Sequence, residues 1–351
     1  MANVLVFFLL FELLVVVLFV LLLLFLHSYY WIRTSFFFFY YSIAGSLSFV
    51  LAIALWTTFA SCLLLTLVII PLLVKLPAFP FFYWLPEVHS ESNSSISLLL
   101  AGLILKLSIY GLIRFTVSTF YLPLQFFLPV LLSCTVFGLV IVACSCFRYF
   151  DMKKIIAFSS ILHLNLSFAS LLSFNSCGLL SGIFISLSHS FSSIGLFLLA
   201  GLVINKTYSR YLDAIFMLDF ALRLLFALFV LANLNIPGSA NFLGELLSLV
   251  AAFSISTFYA AFFLLTSFMS SLLWFLILNR KLACCSHYSL CVNPMLVLGW
   301  LAGIIFYHGV YFFTTFNVSC IVRHSLINHR RSFSAVNGFH AVVNVGSVLV
   351  K

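Results

Sequence analysis

Runs of about twenty apolar residues follow one another along almost the whole chain, and each is long enough to cross a bilayer as a helix. Of 351 residues, 65% are hydrophobic and only 7% charged, a balance no soluble fold has. The sequence therefore describes an all-α polytopic membrane protein. Hydropathy places about ten spans, at roughly 2–26, 36–57, 59–85, 94–115, 122–147, 154–174, 177–205, 214–257, 258–279 and 295–316. Two of them are expected to break: the third near Pro77 and Pro80, and the eighth near Pro237, which Gly238 follows. Proline lacks the amide donor, so these two spans are expected as broken helices, and the eighth as one discontinuous span with an extended amphipathic start. Residues 1–316 read as one transmembrane unit and 317–351 as a polar C-terminal tail.

The net charge of +9 is not a nucleic-acid signature, because the basic residues are scattered between spans and in the tail. Arg33, Arg148, Lys153, Lys154, Lys206, Arg210, Arg280 and Lys281 follow odd-numbered spans and so share one side, expected to be cytoplasm or matrix. Arg114 and the tail residues Arg323, Arg330 and Arg331 fall on the other side, the tail against the trend. The nine cysteines lie mostly within spans; Cys144, Cys146, Cys284 and Cys285 have no partner at metal-ligand spacing and read as packing residues. No phosphate loop or dinucleotide fingerprint is present, so the chain is not expected to bind NADH, flavin or an iron–sulfur cluster. Residues Val4 to Leu26 are too long an apolar run for a signal peptide, and no Arg- and Ser-rich leader precedes them.

Six ionisable side chains fall inside apolar spans, where an unpaired charge costs several kcal/mol and marks a functional site. Glu12 follows about 17 Å of helix and should lie near the midplane of the first span. Lys75 precedes a Leu-Pro step at the first break, and Lys106 sits near the middle of the next apolar run. His163 and His189 occupy the sixth and seventh spans, and Glu245 follows the Pro237-Gly238 break. Each has a blander alternative. Glu12 could lie near the headgroups, the lysines could snorkel, each histidine could be a satisfied core donor, and Glu245 could stabilise a helix N-terminus. Taken in order, acid, base, base, imidazole, imidazole and acid form a series in which every member can hold or release a proton.

In that order the motifs resemble the antiporter-like membrane subunits of respiratory NADH:ubiquinone oxidoreductase (complex I), over about residues 5–315. FFLLFELL around Glu12, with Gly45-Ser46 after it, resembles the family's acid-bearing span. VKLP with Lys75 and WLPEVH with His89 resemble the first broken helix, and LLLAGLILKLSIYGLIRF with Lys106 the span after it. DMKKIIAFSSILHLN, LSHSFSSIGLFLLAG and LNIPGSANFLGELLSLVAAF resemble the two histidine spans and the second broken helix. Glu245, where related branches carry Lys, favours the chain 4 branch. Against the family pattern of Glu-Ala-Pro and a later Gly, Glu91 remains but Ser92-Asn93 and Ile96 stand in place of the other residues, which alters the loop expected after His89. The family has about fourteen spans, and this sequence starts at what resembles the fifth, so an antiporter-like fold lacking the first four spans is expected.

The resemblance implies a proton-translocating membrane-arm subunit. Glu12 and Lys75 would form the input pair, Lys106 the connecting lysine, His163 and His189 a relay, and Glu245 the output control. It also implies that NADH, FMN, iron–sulfur clusters and ubiquinone are used by the complex and bound by other chains. Expected partners are other membrane-arm subunits, antiporter-like neighbours among them, and membrane lipids, with no nucleic acid; the tail's basic residues would meet accessory subunits or anionic headgroups. The mitochondrial inner membrane is the expected location, with a bacterial or plastid membrane as alternative. Two other functions stay open: a cation/proton antiporter subunit, and a scaffold that has lost pumping.

Overall fold

A computed structural model describes residues 2–24, 29–54, 61–117, 121–217, 220–281 and 298–307. The tail 317–351 and the Cys284–Cys285 pair lie outside the described residues. Among the described residues there is no β-strand, only an isolated bridge between Asp151 and Tyr211. The helices are α1 (Ala2–Leu24), α2 (Tyr29–Ala54), α3 (Ser61–Lys75), α4 (Trp84–Glu91), α5 (Ser94–Leu99), α6 (Leu105–Gly111), α7 (Tyr121–Cys146), α8 (Met152–Leu171), α9 (Ser176–Thr207), α10 (Phe220–Asn233), α11 (Ala240–Ile255) and α12 (Thr257–Lys281). A further short helix, α13, runs over Leu298–Tyr307. α5 and α6 belong to one rod, joined by a π turn at Leu100–Ile104 and followed by another at Leu112–Val117.

Six of the described helical runs are long and apolar enough to cross a membrane alone. The remaining apolar helices are shorter, and three of them, α3, α10 and α11, belong to the two broken spans, the first of which continues into the short α4. The bundle is layered by burial. α8 has 94% of its span buried, against 22% for α1 and 28% for α2, so α8 is the axis of the molecule and the N-terminal pair its edge. α8 packs on α4, α7, α9 and α11, and therefore touches both broken spans. Close approach is bought locally by small residues: a Cβ on Gly195 of α9 would lie 2.2 Å from the buried Phe229 ring of α10.

Three details differ from the hydropathy reading. The stretch around His89, expected as a loop, is helix α4 through Glu91, and Asn93 caps the next helix by accepting from the Ser94 amide. Lys153 and Lys154, expected between spans, lie in the first turn of α8, which Asp151 caps through the Lys153 amide. The 94–115 span is not a uniform α-helix but carries the two π turns. In each case local capping or a widened turn, invisible to hydropathy, sets the boundary.

Candidate functional site

The first break ends α3 at Lys75. Pro77 and Pro80 cannot donate, and the carbonyls freed there are taken by side chains from elsewhere. Trp84 Nε1 donates to the Val74 carbonyl at 2.9 Å, and Asn165 Nδ2 to the Pro77 carbonyl at 3.4 Å. Lys75 Nζ, 4% exposed, donates to Glu12 Oε1 at 2.5 Å and lies 3.8 Å from the centroid of the Phe11 ring. The carboxylate, the ring face and the carbonyl end of the helix all favour the ammonium at that position.

Lys106 stands in the first turn of α6, two residues past the end of the π turn. A π turn widens the helix by one residue and leaves a carbonyl out of the α ladder. Lys106 Nζ donates to Ala101 O, a carbonyl within that turn, at 2.5 Å. The lysine is partly buried and is an electrostatic neighbour of His89, His163 and His189.

His163 and His189 face each other across α8 and α9, ring centroids 4.7 Å apart. His189 Nε2 is 3.1 Å from Ser160 Oγ. His163 Nδ1 is 3.7 Å from Glu245 Oε1, too long for a hydrogen bond but close enough for strong coupling in a buried site. The second break supplies Glu245. Pro237 lacks a donor, Gly238 adopts φ +104°, which glycine alone takes without strain, and Ser239 caps α11 by accepting from the Phe242 amide. Asn233 lies beside His189 and Asn235 beside Glu245.

Five of the six ionisable residues singled out in the sequence thus fall into two contacting groups, Glu12 with Lys75 and His163 with His189 and Glu245, and Lys106 neighbours the histidines. Sequence reasoning did not single out the amides that frame them: Asn165, Asn233, Asn235 and Asn241. Polar side chains inside apolar spans, next to a proline break, were the available signal. Nor did it foresee that His89 is fully buried, stacked at 4.4 Å on Phe197, with neither ring nitrogen hydrogen-bonded to a described protein group. His163 Nε2, His189 Nδ1, the Asn233 amide and Asn235 Oδ1 share that condition.

One rim of the bundle is tied by a separate set of polar contacts. Lys153 Nζ donates to Ser92 O at 2.6 Å, Lys154 pairs with Glu87 at 2.9 Å and Arg210 with Glu91 at 2.8 Å. The Met152 amide donates to Arg210 O and the Leu212 amide to Phe150 O. Burial pushes the Asp151 carboxyl up, opposed by the backbone amides of Lys153 and Lys154 and by Arg210. The contacts gather the basic residues following the fifth and seventh spans, with the end of α4, on one side, as the parity of the spans requires.

The profile of the family described as NADH:quinone oxidoreductase/Mrp antiporter, TM, matches residues 2–270, and the chain belongs to that family of multi-pass membrane proteins. The NADH-ubiquinone oxidoreductase chain 4 of Acanthamoeba castellanii is 36% identical over 190 residues, covering 53% of this chain. The match spans only 38% of that relative's length. Among solved structures, a chain of respiratory complex I from Thermus thermophilus superposes with a TM-score of 0.79 at 20% identity, covering 88% of this chain and 72% of its own. A chain of the archaeal membrane-bound sulfane sulfur reductase gives 0.80 at 18% identity, covering 91% and 70%. At these identities the structures establish a shared antiporter-like fold.

Proposed function

We propose that the chain is a proton-translocating membrane-arm subunit of an NADH:ubiquinone oxidoreductase, of the chain 4 type. The observation that carries this reading is the succession Glu12–Lys75, Lys106, His163–His189, Glu245, which runs from the edge helix α1 past the first break to the buried helices α8 and α9 and the second break. A buried ammonium keeps its proton beside a carboxylate and gives it up when drawn away in a low-dielectric interior. Lys75 would load against Glu12. Lys106, held among the described residues by a carbonyl of its own helix, would carry the charge across. The histidine pair would pass the proton on, and Glu245 would set when it leaves. The buried nitrogens and oxygens without partners among the described residues are the positions where water would complete the line.

The energy would come from quinone reduction in other chains of the complex, which would also bind NADH, FMN, the iron–sulfur clusters and ubiquinone. The partners would be the other membrane-arm subunits and membrane lipids, and the location the mitochondrial inner membrane. The similarity of the chain to a named chain 4 supports this assignment, as does Glu245 in place of a lysine.

The test begins with a native gel of gently solubilised membranes, stained for NADH oxidation, with mass spectrometry of the active band. This chain is expected in that band. A Lys106→Met variant should then lose NADH-driven proton translocation more than tenfold, about 1.4 kcal/mol or more of barrier. An unchanged proton-to-electron ratio would make the chain a scaffold. Recovery only in a smaller band that exchanges cations for protons would make it an antiporter subunit.

A further inference from the structure

At both breaks an asparagine amide donates to a backbone carbonyl. At the second, Asn241 Nδ2 donates to Ala232 O at 3.2 Å, and Asn241 Oδ1 accepts from Ser188 Oγ, one residue before His189. That amide is engaged at both ends. At the first, Asn165 Nδ2 reaches the Pro77 carbonyl at 3.4 Å and shares its protons with Ile161 O of its own helix at 3.0 Å. Asn165 is fully buried, and its Oδ1 has no donor among the described protein groups. The first closure is the looser of the two.

Asn165 is also placed to connect the two breaks. It stands two residues after His163 on α8, the most buried helix. Residues two apart on a helix point about 200° apart, so they face opposite neighbours. His163 faces Glu245 and the second break; Asn165 faces Pro77 and the first. We infer that Asn165 is a positioning residue: it holds the Pro77 carbonyl, and with it the Lys75 end of α3, against the helix that carries His163, and it lets go when Lys75 leaves Glu12. This assignment rests on the proton-pumping reading above. Asn241, engaged at both ends, instead keeps the second break in one shape.

The experiment uses the assembled complex, with its amount read on a native gel. Asn165→Leu keeps the side-chain volume and removes the donor. The expected result is normal assembly, NADH-driven pumping lowered about fivefold, the scale of one lost buried hydrogen bond, and a reduced proton-to-electron ratio. Asn165→Gln, which keeps the amide, should recover part of the ratio, a rescue that a purely packing role would not give. Should Asn165→Leu fail to assemble, Asn165→Ser carries the same readout. Wild-type rate and ratio in the Asn165 variants, with Lys106→Met blocked, would overturn the assignment and leave the pumping reading standing. Unchanged pumping in Lys106→Met would overturn the pumping reading, and the role of Asn165 with it.

Discussion

The two helix breaks are built from similar parts and hold their charges differently. At the first, Lys75 meets Glu12 at 2.5 Å with an aromatic ring beneath it, while the backbone around it is closed by a shared amide and an indole. At the second, the backbone is closed by an amide fixed at both ends, while Glu245 stands 3.7 Å from His163 without a hydrogen bond. A tight ion pair sits on a looser frame, and a loose pair on a firm frame. Coupled proton sites need charges that can separate, and the two halves meet that need in opposite ways: by letting the frame shift, or by never closing the pair.

The sharpest test of this contrast is Lys75→Met. It leaves the Glu12 carboxylate in the membrane without its cation, and breaking a buried pair costs about 3 kcal/mol or more. Proton translocation should be lost more than tenfold, with less assembled complex on a native gel. Glu245→Gln removes a partner that is coupled but not bonded, so a loss of about fivefold in NADH-driven proton uptake is expected, roughly 1 kcal/mol. Equal losses in the two variants would erase the distinction between tight and loose pairs. Gly195→Ala acts on the frame of the second break: the new methyl would meet the buried Phe229 ring. Overpacking of this kind costs about 1–3 kcal/mol and should lower the thermal unfolding temperature of the purified complex. Trp84→Phe removes the donor to the Val74 carbonyl at the first break and should cost about 1 kcal/mol, read as a smaller fall in the same temperature. A larger fall for Trp84→Phe than for Gly195→Ala would make the first frame the firmer one.

The breaks and the charged members of the site were legible because their signals are local. Pro77 and Pro237 lack a donor wherever they stand, and Glu12, Lys75, Lys106 and Glu245 are conspicuous in apolar sequence. The amides were not legible, because Asn165 or Asn241 inside a span is informative only when the carbonyl it meets is known, and Pro77 lies far from Asn165 along the chain. The π turn beside Lys106 left no mark in LLLAGLILKL either, since its residues suit an α-helix equally well. Lys153 read as a loop residue because lysine usually ends a span; its burial depends on the Ser92 carbonyl arriving from another segment.

What the sequence determined by itself was a membrane protein of many helices, where two of them were expected to break, and which residues could carry a proton. Those conclusions follow from apolar length, missing amide donors and the cost of a charge in hydrocarbon, none of which needs a neighbour. Only the tertiary structure decided who faces whom: Glu12 toward Lys75, Lys106 toward its own helix, His163 toward Glu245 and Asn165 toward Pro77. In water a helix announces its inner face by a polar outer one. In a bilayer both faces are apolar, so the rotation of each helix, and with it every pairing in the site, is set by packing against the others.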